Sequence, residues 1–250
     1  MSHRNPNFRR DMPRKPRESG NATIYVLIVV ALFAALAFTV ARQNDTSESS
    51  RLSDEQADIV AGQIMAYPFQ VRQVIDMMTM AGADPDTLDY TKPGMADYDT
   101  KPLTRKIFHP AGGGLTLSRL PPESIDTAAT GLAPGWYLGM FNNVEWTPSA
   151  LNDMILTAYP LTRQICEKLN ARLTGKVELD SNDVVKIPTL NNTIPNVLID
   201  RDNPPGYAVQ TGSNIAEFDN TVCADCEEKP TLCVKDSNNR YGFYAVLISR

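Results

Sequence analysis

From Ala22 to Ala41 the chain runs through twenty residues without a charge, ATIYVLIVVALFAALAFTVA. At about 1.5 Å of rise per residue a helix over this run is roughly 30 Å long, the thickness of a bilayer's hydrocarbon core. Such a helix is apolar all round, so lipid or protein has to cover it. The flanks set an orientation. Arg4, Arg9, Arg10, Arg14, Lys15 and Arg17 precede the run against Asp11 and Glu18, whereas Asp45, Glu48, Asp54, Glu55 and Asp58 follow it. Basic flanks stay on the cytoplasmic side, which places the chain after residue 42 outside.

A secretory signal peptide is a rival reading. It has a shorter apolar run, of about 7 to 15 residues, before a small-residue cleavage site. ALA at 35–37 and TVA at 39–41 both offer such a site, but the run continues through them.

Residues 51–250 hold 25 acidic side chains against 17 basic ones. Phosphate-backbone recognition needs clustered Lys and Arg, so nucleic acid is not an expected partner. The four cysteines, Cys166, Cys223, Cys226 and Cys233, all fall in this part. An even count in an oxidising compartment reads first as two disulfides. CADC also matches a redox motif, and the four thiolates could be drawn as a zinc site; Pro230 with Glu227 and Glu228 favours a loop over the helix entrance that a redox motif occupies. Three pairings exist. The expected inward helix position of Cys166 and strand position of Cys233 favour joining these two, leaving Cys223 with Cys226.

Residues 1–20 form a basic leader without apolar periodicity, and 43–52 a polar linker. Ser53 with Gln56 three residues on is a capping box, so a helix is expected over 53–82. Its stripe runs through Leu52, Ile59, Val60, Ile64, Tyr67, Val71, Val74, Ile75 and Met78, with Pro68 kinking or locally opening it and Gly82 stopping it. Residues 83–250 read as a globular domain. Strands are expected on either side of the glycine bend in KIFHPAGGGLTLSRL, and a hairpin in GWYLGMFNNVEW turning at Asn142 and Asn143. Thr147 and Pro148 read as a helix start, with Leu151, Ile155 and Leu156 on the first piece; Pro160 divides it from a second piece bearing Leu161, Ile165, Cys166, Leu169 and Leu173 up to Gly175. A final hairpin turns at DSNN before an apolar last strand. The class is therefore α+β: a transmembrane helix over 21–42, an amphipathic helix, then a domain with antiparallel strands and a disulfide-bearing C-terminal region.

No enzyme motif stands out. The histidines are His3 and His109, and neither G-x-S-x-G nor H-E-x-x-H occurs. AGGGLTL lacks the lysine of a phosphate loop, DSNDV and DSNNR lack the glycine and glutamate of a calcium loop, and no spacing selects a carboxylate pair. No cofactor is expected, and the aromatics along the strands read as core.

A basic leader, a glycine, an uncharged span, an amphipathic helix and an α+β domain with late cysteines together resemble type IV pilin-like proteins, including pseudopilins of type II secretion. The resemblance covers about 60 N-terminal residues. It implies that a prepilin peptidase cuts after Gly20, so that the mature chain begins at Asn21. Where the family carries Phe or Met after the cut and Glu at the fifth mature position, this chain has Asn21 and Tyr25. A subunit without that Glu resembles the minor, tip-located kind. The resemblance further implies a bacterial inner-membrane protein with a cytoplasmic N-terminus, whose partners are the bilayer, the peptidase and other pilin-like subunits. The alternative is a single-pass anchored binding or envelope module.

Overall fold

The computed structural model describes residues 24–34, 52–175, 185–199 and 217–249. The chain divides into two units, Met1–Arg51 and Leu52–Arg250. In the first, residues 24–34 form helix α1, every side chain of which is exposed. No helix among the described residues is long and apolar enough to cross a membrane. The expected span of 21–42 extends into residues outside the described set, as do Gly20 and Asn21.

The second unit begins with helix α2, Asp54–Met80. Ser53 Oγ accepts from the Gln56 amide at 3.2 Å and the Ser53 amide donates to Gln56 Oε1 at 3.4 Å, satisfying two end groups reciprocally. Asp54 and Glu55 lie in the first turn, where the helix dipole favours negative charge. The helix runs through Pro68, whose ring is buried, and ends at Ala81 before Gly82, which has φ 93°.

A four-stranded antiparallel sheet follows, in the order β1-β2-β4-β3. Its strands are β1 Gly135–Asn142, β2 Asp153–Leu161, β3 Thr231–Lys235 and β4 Tyr241–Ile248. Helix α3, Arg163–Thr174, starts directly after β2 and ends on Gly175 in the left-handed conformation. A short helix α4 spans Ile194–Val197. Both sheet faces are covered. Met154, Leu156 and Ala158 of β2 meet α2 and α3 together with Phe243, Ala245 and Leu247. Ile155 and Tyr159 point the other way, with Leu232, Val234 and Tyr244, into a second core made by residues 190–199, Phe218, Cys223 and Cys226.

This arrangement corrects the expected helix start at Thr147 and Pro148. Residues 153–161 are a central strand, all nine buried, while Leu151 lies outside it at 60% exposure. A strand buried on both faces presents a continuous apolar run, which periodicity cannot tell from a helix. The second expected piece does form, as α3. The expected hairpin within 135–146 is a single strand. It pairs with β2 across a connection closed by Asp153, whose Oδ2 accepts from the Val144 amide at 2.8 Å and from Thr147 Oγ1 at 2.9 Å. The expected strands around the glycines are also absent among the described residues. Turns occupy 107–113 and an irregular segment follows to 120, and a Cβ on Gly112 would lie 2.2 Å from the Lys106 carbonyl oxygen. The terminal hairpin forms as expected, paired from Thr231 with Ala245 to Lys235 with Tyr241.

Residues 84–120 contain as regular structure only two short 3-10 turns, Pro85–Thr87 and Leu103–Arg105, send Leu88, Ile107 and Leu115 into the first core, and are fixed by two lysines. Lys106, 1% exposed, pairs with Asp89 at 2.9 Å and donates to the Asp97 carbonyl. Burial works to raise the Asp89 carboxyl, but hydrogen bonds from Thr91 and Lys106 outweigh it and hold it below the usual range. Lys92 donates to the Trp136 carbonyl at 2.8 Å, on edge strand β1, and its ammonium sits 5.8 Å from the Tyr137 ring centre. Burial pushes Lys92 from the usual 10.5 down to about 8.

Between these two values the unfolded chain holds a proton that the folded chain has lost, so stability rises with pH across that window. Burial raises Tyr90 and Tyr244, so their unfolded forms ionise first above about pH 10 and stability then falls. Denaturant midpoints should therefore be higher at about pH 9 than at about pH 7, and Lys92→Met should remove that rise. An unchanged rise in the variant would mean that Lys92 is not its source.

Candidate docking surface

The cysteines form two disulfides, Cys166 with Cys233 and Cys223 with Cys226. The first joins α3 to edge strand β3 and lies wholly inside the core. One turn beyond Cys166, Asn170 is 4% exposed; its Nδ2 donates to the Cys233 carbonyl at 2.8 Å and its Oδ1 accepts from the Cys233 amide at 2.8 Å. The Asn170 side-chain amide thus replaces the peptide of a missing neighbouring strand. Farther along β3, the Lys235 amide donates to the Pro188 carbonyl at 2.9 Å, and the Leu190 amide donates to the Lys235 carbonyl at 2.8 Å. The outer edge of β3 is closed at both places.

Other residues singled out in the sequence have structural roles. His109 Nδ1 accepts from the Ala111 amide at 3.0 Å, its ring lies tilted against that of Tyr98 with the centroids 5.0 Å apart, and Asp99 lies 3.5 Å from Nε2. Asp236 of DSNNR holds its turn, Oδ1 accepting from the amides of Asn238 at 2.8 Å and Arg240 at 3.0 Å. DSNDV, residues 180–184, lies outside the described residues. Trp136, Tyr137, Phe141, Phe243 and Tyr244 are buried. Among the described residues no group of three or more His, Cys, Asp or Glu could hold a metal ion.

What the sequence reading missed is the second face of α2. Its core face buries Ala57, Val60, Ala61, Ile64, Tyr67, Pro68, Val71, Ile75 and Met78. On the opposite side, at helical spacing, stand Ile59, Ala66, Phe69, Gln73, Met77 and Met80, all exposed. Phe69 is 73% exposed and Met80 87%. From Ile59 to Met80 the helix carries only two charges, Arg72 and Asp76. Beside Phe69 this face continues into a groove of about 250 Å³ lined by Met65, Leu173, Val246 and Leu247 among others. Past Met77 it meets a second groove of about 500 Å³, bounded by Gly82, Arg105 and Gly112. The spacing of Ile59, Phe69, Met77 and Met80 was legible. The stripe through Ile64 and Val71 is the stronger pattern, and Ile59, expected on it, faces outward instead.

The far end of α2 is fixed to α3. Lys168 reaches Asp54 at 2.7 Å and Asp58 at 3.6 Å, and Arg172 reaches Asp58 at 3.3 Å. The hydrogen bond to Asp54 raises Lys168 above its usual value. These pairs lie at the rim of the α2–α3 contact, and their exposure limits what they add to stability.

The sequence matches no known protein family, no curated protein and no solved structure at a significant level.

Two stability measurements follow from this geometry. Replacing Cys166 and Cys233 together by Ala should lower the unfolding free energy by about 4 kcal/mol, since the bond closes a long loop. Asn170→Ala should cost about 1–3 kcal/mol by leaving the Cys233 peptide groups unpaired, whereas Phe69→Gln should stay within about 0.5 kcal/mol. Equal losses from Asn170→Ala and Phe69→Gln in denaturant titrations would contradict this division between closed edge and free face.

Proposed function

We propose that this chain is a minor pilin-like subunit of an envelope filament or secretion assembly, working by packing and partner binding rather than by catalysis. In this reading residues 21–42 hold it in a bacterial inner membrane with the N-terminus cytoplasmic. A prepilin peptidase removes the leader after Gly20, and the outer domain packs beside other subunits through α2.

The observation that carries the reading is the sparsely charged outer face of α2, from Ile59 through Phe69 to Met80 with Arg72 and Asp76 as its two charges, on the helix that follows the twenty-residue apolar run in the chain. Helices that pack in lipid use close contacts between small residues, and Ala31, Ala34, Ala35 and Ala37 supply them in the run. A second support is the complete pairing of the four cysteines, which suits an oxidising compartment.

N-terminal sequencing of the membrane-purified protein tests the first half. The wild-type chain should begin at Asn21, and Gly20→Glu should retain Met1 or Ser2 while the outer domain still folds. Identical, intact N-termini in both would leave a plain anchored envelope module. The second half is tested by Phe69→Lys with Met80→Lys. These exposed substitutions should leave the melting profile unchanged and abolish cross-linking of the chain to neighbouring subunits in membranes. Undiminished cross-linking would rule out α2 as the packing face.

A further inference from the structure

At the end of the β3–β4 hairpin lies an open cleft of about 500 Å³, within the range of small-molecule sites. Its walls come from separate elements: Arg163 opens α3, Lys235 ends β3, Tyr241 begins β4, Asn239 is in the hairpin turn, and Lys186 and Thr189 lie on the 185–191 segment.

Lys235 and Tyr241 are direct cross-strand partners. The Lys235 peptide groups turn outward, to Pro188 and Leu190, so this is a pair without hydrogen bonds between the strands. In such pairs the side chains stand on one face with the Cα atoms about 4.5 Å apart. Backbone register thus puts the two side chains on one face, where both line the cleft. Thr189 is bridged to Lys235 in parallel and brings its hydroxyl to the same edge.

Among the described residues the side chains of Lys235, Tyr241, Thr189 and Asn239 make no hydrogen bond or ion pair within the chain, yet each can donate one. The cleft is basic on an acidic domain. Lys186 is neutralised by Asp225 at 2.7 Å and Arg163 by Glu167 at 2.7 Å, which leaves Lys235 without a carboxylate partner among the described residues. Convergent donors around one such cation suit a ligand with several acceptor oxygens, because charge-assisted bonds to an oxyanion are the stronger kind.

We propose that this cleft binds a small multivalent oxyanion, bearing carboxylate or phosphate groups, between Lys235, Tyr241, Thr189 and Asn239. The ligand would be held whether or not the chain joins an assembly. A small anion here makes the outer domain a sensor or carrier of an anionic solute as well as a packing unit.

The test is calorimetric titration of the full chain in neutral detergent micelles, at fixed ionic strength, with citrate in one arm and inorganic phosphate in the other. Saturable binding at millimolar concentration or tighter is expected in at least one arm, and the responding arm names the group recognised. Lys235→Gln should weaken it roughly tenfold or more, and Tyr241→Phe by a smaller factor, with Lys101→Gln, an exposed control, unchanged. Circular dichroism and intact disulfides verify that each variant is folded, and Tyr241→Phe serves if Lys235→Gln is not. No saturable heat in either arm, or equal weakening by Lys235→Gln and Lys101→Gln, would overturn the proposal.

Discussion

The domain depends on a central strand that water never reaches. All nine residues of β2 are buried, and every backbone group in such a strand must find a partner because water cannot supply one. Pairing with β1 on one side and β4 on the other meets that demand along most of its length. Burial on both faces then requires two covering layers. Helices α2 and α3 form one, and the segment carrying α4, Phe218 and the Cys223–Cys226 loop forms the other. Since strand residues alternate between faces, Met154, Leu156 and Ala158 serve the first core and Ile155 and Tyr159 the second. A one-residue slip of β2 would exchange the two sets, so the register is specified by both cores at once.

A four-stranded sheet also has two edges, and exposed edges invite pairing with other chains. This protein closes them by different means. On β3, an asparagine amide and an extended segment occupy the outer hydrogen-bonding positions at Cys233 and Lys235, and the Cys166 disulfide holds α3 where Asn170 can reach. On β1, a lysine from the irregular 84–120 segment takes the Trp136 carbonyl. Among the described residues the Lys92 ammonium meets no carboxylate there, and burial lowers its value at that position. The segment is positioned in turn by the Asp89–Lys106 pair and by close passage of Gly113 past Val74 and Met78 of α2. Local chain chemistry therefore feeds into the sheet edge through a few specific contacts.

Local signals were legible in the sequence and non-local ones were not. Ser53 and Gln56 determine where α2 begins because a capping box is a contact within four residues. The DSNN turn likewise announces the last hairpin, and Cys166 lies inward because its helix has one apolar stripe. The stretch from Thr147 to Pro160 misled because N-cap and first-turn chemistry, Thr followed by Pro, stands before a strand. Asp153, which no motif marks, is 0% exposed and spends its carboxylate closing the β1–β2 connection. The cleft was invisible for a related reason. Lys235 and Thr189 are 46 positions apart in sequence and meet only through a parallel bridge that no periodicity encodes.

The outer face of α2 poses a different physical question, because nothing in the fold requires it to be apolar. A solvent-facing helix gains solubility and some stability from charged pairs at three and four residue spacing. Asp54, Asp58, Lys168 and Arg172 provide charges at one end, and between Ile59 and Met80 only Arg72 and Asp76 remain. Single exposed apolar residues are common on protein surfaces. Here, however, Ile59, Phe69, Met77 and Met80 share one side with Gln63, Gln70 and Gln73 between them. Glutamine keeps such a face hydrated in the free chain, and its amide costs less to desolvate than a charge when a partner arrives. Methionine adds adaptability, since its flexible thioether fits uneven surfaces. A face built this way tolerates water and still favours burial, the combination suited to a subunit that stands alone before it packs against a neighbour.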